Sequence, residues 1–396
     1  MARALRRRLG PGLLTAYGVG VMVGAGIYVL VGAVAGQAGL WAPLSFLLAA
    51  VVAMPTALAF SELSARIPEA AGDSAYIEAG LGLHWLAMLV GGINITAGSI
   101  AAAAVLRGGA GYFTALVPVA PEVAIIAAGV ILTLIALVGV LESLAFAAAM
   151  TFIEVAGLLI VSWAGLVAEP VAAWSEPLPP VAWSGVIAAS VFAFFAFIGF
   201  DDLVNMAEEA KNPGRDMPRT ILASLMITAI LYMLVTFAAV RSVPQDVLGG
   251  SQRPLALVWE TATGRSAAFL SAIAVAAALN GILAQIVMAS RVLFGLGRRS
   301  PVLSVFNRTH PRFGTPVIAT VLCGTAATLA ALLLPVTTLA EVTSALLLAV
   351  FAVVNLSLIR LKARVPASPF RVPVFVPVLG LLACLAALVT MLEAWM

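Results

Sequence analysis

Phe192-Ala193-Phe194-Phe195-Ala196-Phe197-Ile198-Gly199-Phe200-Asp201-Asp202 begins as an apolar helix and then stops behaving as one. It sits in a stretch that starts near residue 184 and continues through Asn205, Glu208, Glu209 and Lys211 to Asn212-Pro213. One membrane crossing takes about 20 apolar residues, so this stretch is too long to be a single plain span. An acid within a bilayer costs about 2.5–3.5 kcal/mol on the insertion scale. Two acids behind a mid-span glycine therefore need a reason. Two compatible readings supply one. Asp201 or Asp202 caps a second half-helix running to Lys211, and the same carboxyls face a substrate or proton site.

Val23-Gly24-Ala25-Gly26-Ile27-Tyr28-Val29 poses the same problem near the N-terminus. Gly18, Gly20, Gly24, Gly26 and Gly32 fall within one span, and each costs about 1 kcal/mol of helix propensity relative to Ala. Small residues also permit close helix–helix contact, so glycine spacing alone leaves two readings open. In the other, the helix is broken at mid-membrane and its bare backbone faces a cavity, the only place where that is tolerated. The breaks near 24–27 and 198–201 are five spans apart. Because five is odd, the second set of five helices runs inverted relative to the first. Paired interruptions at matching positions of two halves are the best sequence pointer to a transporter site. Half-helix N-termini suit a carboxylate and half-helix C-termini present free carbonyls that suit an ammonium. An α-amino acid offers both groups on one carbon.

Composition agrees with a chain built for lipid. Of 396 residues, 63% are hydrophobic and 10% charged, against about 25% charged in an ordinary soluble domain. Such a chain cannot cover its surface in water, which excludes a soluble enzyme, a nucleic-acid partner, a coiled coil and a disordered tail. Eleven segments are long and apolar enough to span: 13–36, 41–60, 84–105, 123–140, 147–168, 184–211, 221–240, 267–290, 317–334, 339–359 and 374–392. No strand-type alternation appears, so the expected fold class is an all-α polytopic membrane protein. Residues 1–396 form one transmembrane domain, with inverted repeats at 13–168 and 184–359 and an additional C-terminal helix at 374–392. The basic start (Arg3, Arg6, Arg7, Arg8) precedes an apolar stretch too long for a signal peptide and is read as leading into span 1.

With the N-terminus in the cytoplasm, only Arg107, Arg241, Arg253 and Arg265 fall on the far side. The remaining Lys and Arg, among them Arg66, Lys211, Arg215, Arg219, Arg298, Arg299 and Lys362, fall on the cytoplasmic side. This predicts a multi-pass protein of the cytoplasmic (inner) membrane. Cys323 and Cys384 are isolated in apolar runs, and His84 and His310 lie at helix ends, so no disulfide framework, metal site or cofactor is implied. An embedded enzyme would need a constellation such as His-Glu-x-x-His, and none is present; no catalytic residue is expected.

Gly24-Ala25-Gly26-Ile27-Tyr28 resembles the first-helix motif of the amino acid–polyamine–organocation superfamily. Phe197-Ile198-Gly199-Phe200-Asp201, followed by Glu208-Glu209-Ala210-Lys211-Asn212-Pro213, resembles the sixth-helix signature of its amino acid permeases. Ser61-Glu62-Leu63, Ala70-Gly72-Tyr76, Ser290-Arg291-Val292-Leu293 and Asn355 extend the likeness over nearly the whole chain. The resemblance implies the LeuT-like inverted five-plus-five helix bundle, with helices 1 and 6 broken and one extra helix here. It implies one central site between helices 1, 3, 6, 8 and 10. It places carboxylate-binding backbone on Gly24, Ala25, Gly26 and Ile27, and amine-binding carbonyls on Phe195, Ala196, Phe197 and Ile198. Asp201 matches a position where related exchangers carry a proton-responsive acid. Specificity then rests on side chains such as Phe192 and Phe195.

The expected function is secondary transport of amino acids or related amines by alternating access, coupled to protons or to exchange. Glu154 departs from the family pattern, since related sodium-independent members often carry a Lys near this position. A carboxyl in low dielectric favours its neutral form, making this position a candidate proton carrier; a neutral, hydrogen-bonded tie between helices is the competing reading. A third reading has Glu154 and Asn280 ligating sodium with helix-1 carbonyls, though no Ser/Thr pair stands around Ala276–Gly281. A cation/chloride cotransporter shares the fold and is the other alternative, but its known members carry large soluble tails. Glu62 and Arg66 are expected to pair at the cytoplasmic gate.

Overall fold

Proline in the first turn of a helix costs nothing, because the N–H it lacks has no intrahelical partner there. Pro11, Pro43, Pro121, Pro213 and Pro254 open α1 (Pro11–Ala38), α2 (Ala42–Arg66), α5 (Pro121–Val138), α8 (Pro213–Ser242) and α10 (Pro254–Thr263) in this way. The other helices of this computed structural model are α3 (Gly72–Leu81), α4 (His84–Thr114), α6 (Leu144–Val167), α7 (Trp183–Phe197), α9 (Gln245–Gly250), α11 (Ala268–Arg299), α12 (Val317–Leu333), α13 (Val336–Arg364) and α14 (Phe375–Trp395). The structure describes residues 9–68, 72–139, 144–174 and 177–395, with Ala25 and residues 144–146 and 394–395 described by their backbone alone. Arg3, Arg6, Arg7, Arg8 and Ala70 of the sequence reading lie outside the described residues.

The protein is an all-helical, multi-pass membrane protein. Among the described residues, nine helical stretches are long and apolar enough to cross a bilayer. One of them runs from Gly26 through α2, while Pro11–Gly24 and Val317–Leu333 are shorter apolar helices. The eleven apolar segments correspond to α1, α2, α4, α5, α6, α7, α8, α11, α12, α13 and α14. The short helices α3, α9 and α10 lie between spans.

Aromatic residues fill the interior between α1, α2, α7 and α8. Phe46 packs edge to face on Phe197 and Tyr232, whose own rings are tilted against each other, and Phe60, Phe200 and Phe351 form a second group. Val130, Ile131 and Leu134 of α5 and Leu382 of α14 point outward, as expected where lipid replaces water as the solvent.

Two arginines hold helix ends. Arg107 donates to the carbonyls of Ala331 (2.7 Å) and Leu332 at the end of α12. Arg241 donates to Gly165 (3.0 Å) and Ala168 (2.6 Å) at the end of α6. A cation suits the negative end of a helix dipole and satisfies orphan carbonyls.

One expectation needs correction. No half-helix runs from Asp201 or Asp202 to Lys211. The chain makes a five-residue 3-10 helix, Asp202–Met206, then turns. Leu9 then pairs with it: Leu9 N–H donates to Glu209 O and Lys211 N–H to Leu9 O, both at 3.0 Å. The backbone groups that would have continued the helix are used by this strap ahead of α1. The strap joins the segments flanking the two breaks.

Candidate functional site

Gly24 breaks α1, with φ −21° and ψ −167° far from helical values. The second break comes after α7. Ile198 is extended (φ −60°, ψ 135°), and Gly199 takes φ +125°, a region that only glycine reaches without strain. A Cβ on Gly199 would also lie 2.7 Å from Val21 Cγ1. Asp201 turns back rather than forward: its Oδ1 accepts the Gly199 N–H at 3.0 Å. That bond holds the turn and leaves the following 3-10 segment without a side-chain cap.

The two breaks touch. A Cβ on Gly26 would lie 3.4 Å from Ala196 Cα, so the backbones approach closely where the side chain is missing. Tyr232 of α8 stands behind this contact, fully buried. Its hydroxyl lies 2.6 Å from Met22 O and 2.9 Å from Ala196 O. Both carbonyls belong to the last turn before a break, where no onward helical N–H can serve them. One phenolic proton is thus shared between the two interrupted helices. On the other side of the break, Tyr28 donates to the Glu154 backbone carbonyl at 2.9 Å, and Tyr112 donates to Tyr28 O at 2.6 Å. These two bonds fasten the second half of α1 to α6 and α4.

A cavity of about 120 Å³ opens at the breaks. Gly24, Gly26, Phe195, Ala196 and Ile198 line it from the broken helices. Glu154 and Thr151 enter from α6, and Asn280 and Gln285 from α11. Ala101, Val105, Ala277 and Met288 make an apolar wall. Glu154 is 4% exposed, so its carboxyl faces this confined space rather than bulk solvent.

Most sequence-predicted positions meet here, with some differences. Ile27 and Phe197 are fully buried behind the lining. Asp202 lines the cavity and Asp201 does not, because Asp201 is committed to Gly199. Phe192 is absent from the lining, and helix 10 (α13) contributes no lining residue, while α6 contributes several. Sequence reasoning missed Tyr232 and Gln285. Gln285 was findable as an uncharged polar residue in an apolar span; Tyr232 carries no sequence signal, since its role depends on two carbonyls remote in sequence.

Asp73 adds a third acid close to the second break. It lies on α3, between spans, and its Oδ2 accepts from Asn94 Nδ2 at 2.9 Å. Burial pushes its carboxyl up from 3.8 to about 7, the Asp201 charge adds to this, and the Asn94 hydrogen bond opposes it. The raised value means the folded state favours the neutral form. Asp73 therefore costs stability progressively as pH rises from about 4 to about 7, and no further above that. Asp73→Asn removes this cost. Its gain in thermal stability over the parent, measured in detergent, is expected to be larger at pH 8 than at pH 5. An equal gain at both pH values contradicts the assignment.

The chain matches the amino acid permease family over residues 12–395. It is 30% identical to the branched-chain amino acid permease BcaP of Bacillus subtilis, over 97% of this chain and 88% of that protein. It is 31% identical to the methylthioribose transporter of Bacillus subtilis, over 96% of this chain and 87% of the relative. Cationic amino acid transporter 4 of Homo sapiens is 32% identical over 93% of this chain, and the match spans 62% of that longer protein. The match likewise spans 58% of chloroplastic cationic amino acid transporter 9 of Arabidopsis thaliana.

Proposed function

The chain belongs to the amino acid permease family and is an amino acid transporter rather than an enzyme, and we propose that its substrate binds in the cavity between the two helix breaks, with Glu154 carrying a coupled proton. The observation that carries this reading is the contact between the breaks at Gly26, Ala196 and the shared Tyr232 hydroxyl. The backbone around Gly24–Ile27 takes the substrate carboxylate at the start of a half-helix, where N–H groups and the dipole favour an anion. The carbonyls at the end of α7, from Phe195 to Ile198, take the ammonium. Because these contacts are backbone contacts, they recognise the α-amino acid unit in general.

The substrate side chain meets the wall of Ala101, Val105, Ala277 and Met288. The charged side chains among the described lining residues are Glu154 and Asp202. Neither acid offers an anionic side chain a cationic partner, so anionic amino acids are disfavoured, while aliphatic or cationic ones fit. The first is the class that the name of the BcaP relative gives for that protein, and the second is the class named for the cationic transporters.

Alternating access would proceed by rocking of the inverted repeats, 13–168 against 184–359, with the helix at 374–392 outside them. The end of the bundle carrying Arg66, Arg215, Arg298, Arg299 and Lys362 faces the cytoplasm of a cytoplasmic membrane, in keeping with the positive-inside rule.

Uptake of radiolabelled amino acids into proteoliposomes tests this. An inward proton gradient is expected to drive accumulation by the parent protein. Glu154→Gln is expected to lower gradient-driven accumulation by roughly tenfold or more while substrate binding stays within about threefold, as for loss of one proton-transfer group. Accumulation driven by sodium, or unchanged gradient dependence in Glu154→Gln, contradicts the proton assignment.

A further inference from the structure

A crevice of about 250 Å³, distinct from the substrate cavity, opens between α2, α7, α13 and α14. Small residues create it. Ala383, Ala386, Ala387 and Thr390 fall on one face of α14 at helical spacing. The opposing wall is Val52 of α2 and Phe194 of α7. Its hydroxyls are turned back onto their own helices. Ser190 donates to Ile187 O at 2.6 Å and Thr390 to Ala387 O at 2.8 Å.

The crevice therefore offers a polar ligand no charged group and no unused side-chain donor. Water needs two to four polar partners to occupy a buried site, and the lining side chains offer only the Ser190 and Thr390 hydroxyl oxygens, whose protons are already used. Left empty, the lining would forfeit its dispersion contacts. All four helices are membrane-spanning stretches, and Ile187 in the crevice is 41% exposed, so the opening is continuous with the lipid-facing surface. At that depth the bilayer supplies hydrocarbon tails.

We propose that an acyl chain of a bilayer phospholipid occupies this crevice and acts as a wedge behind α7. Phe194 lies on the crevice, and the next residue, Phe195, lies on the substrate cavity. The last turn of α7 thus separates the tail from the substrate. Ser344 of α13 donates to Val191 O at 3.2 Å, tying α7 to α13 at the border of the crevice. Displacement of α7 during transport changes the volume available to the tail, so the length and unsaturation of the tail bias the transport rate. The binding of the tail stands alone; its effect on rate rests on the proposed placement of substrate beside Phe195.

Two readouts separate these parts. A phosphatidylcholine with a photoactivatable group in its tail is reconstituted with the parent protein and with an Ala383→Phe/Ala387→Phe variant that fills the crevice. Labelling of α7 and α14 peptides is expected to fall at least fivefold in the variant, with labelling of the outward face of α5 around Ile131 unchanged as the control. Undiminished labelling in the filled variant overturns the site. So does cross-linking of one chain to a second through an Ala387→Cys variant, which would identify the occupant as another copy. Labelling requires no transport, so it remains decisive if the substrate assignment fails. In uptake assays, the parent is expected to vary at least threefold between saturated 14-carbon and unsaturated 18-carbon tails, and the filled variant to be insensitive. A crevice that labels while uptake ignores tail composition keeps the site and overturns the wedge.

Discussion

Glu62→Gln is expected to lower the stability of the protein by about 3–5 kcal/mol, the usual cost of removing one partner from a buried ion pair. Glu62 lies in the last turn of α2 and is fully buried. Its Oε1 accepts from Arg66 Nε at 2.9 Å and Nη2 at 2.5 Å. Its Oε2 accepts from Lys362 Nζ at 2.5 Å and from the Val372 N–H at 2.8 Å. Lys362 also donates to Val372 O at 2.6 Å, and Arg66 reaches Val365 O at 2.6 Å. One carboxylate thus joins the end of α2, the end of α13 and the connection into α14. Glutamine keeps the shape but turns an amide N–H₂ toward cations and leaves the buried ammonium without its countercharge. The check is thermal unfolding in detergent. Lys362→Met should be similarly damaging alone, and combining it with Glu62→Gln should recover part of the loss, because the stranded ammonium is then gone. A midpoint unchanged in both single variants contradicts this account.

Tyr232→Phe is expected to weaken substrate binding about tenfold or more while leaving the fold intact. The ring keeps its contacts with Phe46 and Phe197, at centroid distances of 5.5 and 5.1 Å. The variant loses the one proton shared by Met22 O and Ala196 O. A buried carbonyl left without a donor costs about 1–3 kcal/mol, and 1.4 kcal/mol is tenfold in affinity. Ala196 O is among the carbonyls proposed to meet the substrate ammonium. The freed group is expected to reorient, so KM rises while the maximal rate changes little. A lower unfolding midpoint with an unaltered KM would instead assign Tyr232 a purely structural role.

The two helix breaks are legible in the sequence because each violates a strong rule: glycines where a helix should continue, and acids where lipid should exclude them. Glycine at 199 is needed by the backbone itself and glycine at 24 is the non-helical residue of α1, so sequence alone locates both interruptions to within a residue or two. The segment after the second break is not legible in the same way. The sequence Asn205-Met206-Ala207-Glu208-Glu209 does not oppose helix strongly, and the competing partner, Leu9, lies two hundred residues away.

The Glu62 cluster is half legible. Arg66 is one helical turn on and is expected as a partner; Lys362 reads as a topology marker, since nothing local places its ammonium against Glu62. The same limit hides Tyr232 and shifts the cavity acid from Asp201 to Asp202. Side-chain direction at a non-helical turn depends on hydrogen bonds that spacing rules do not encode.

Competition by chemically blocked substrates tests the central claim most directly. For the amino acid transported best in proteoliposomes, its methyl ester and its N-acetyl derivative are measured as competitors of uptake. If the two helix breaks grip the carboxylate and ammonium through backbone, each blocked form should compete at least a hundredfold more weakly than the parent amino acid. Equal competition by either derivative would contradict a site built from the two interrupted helices.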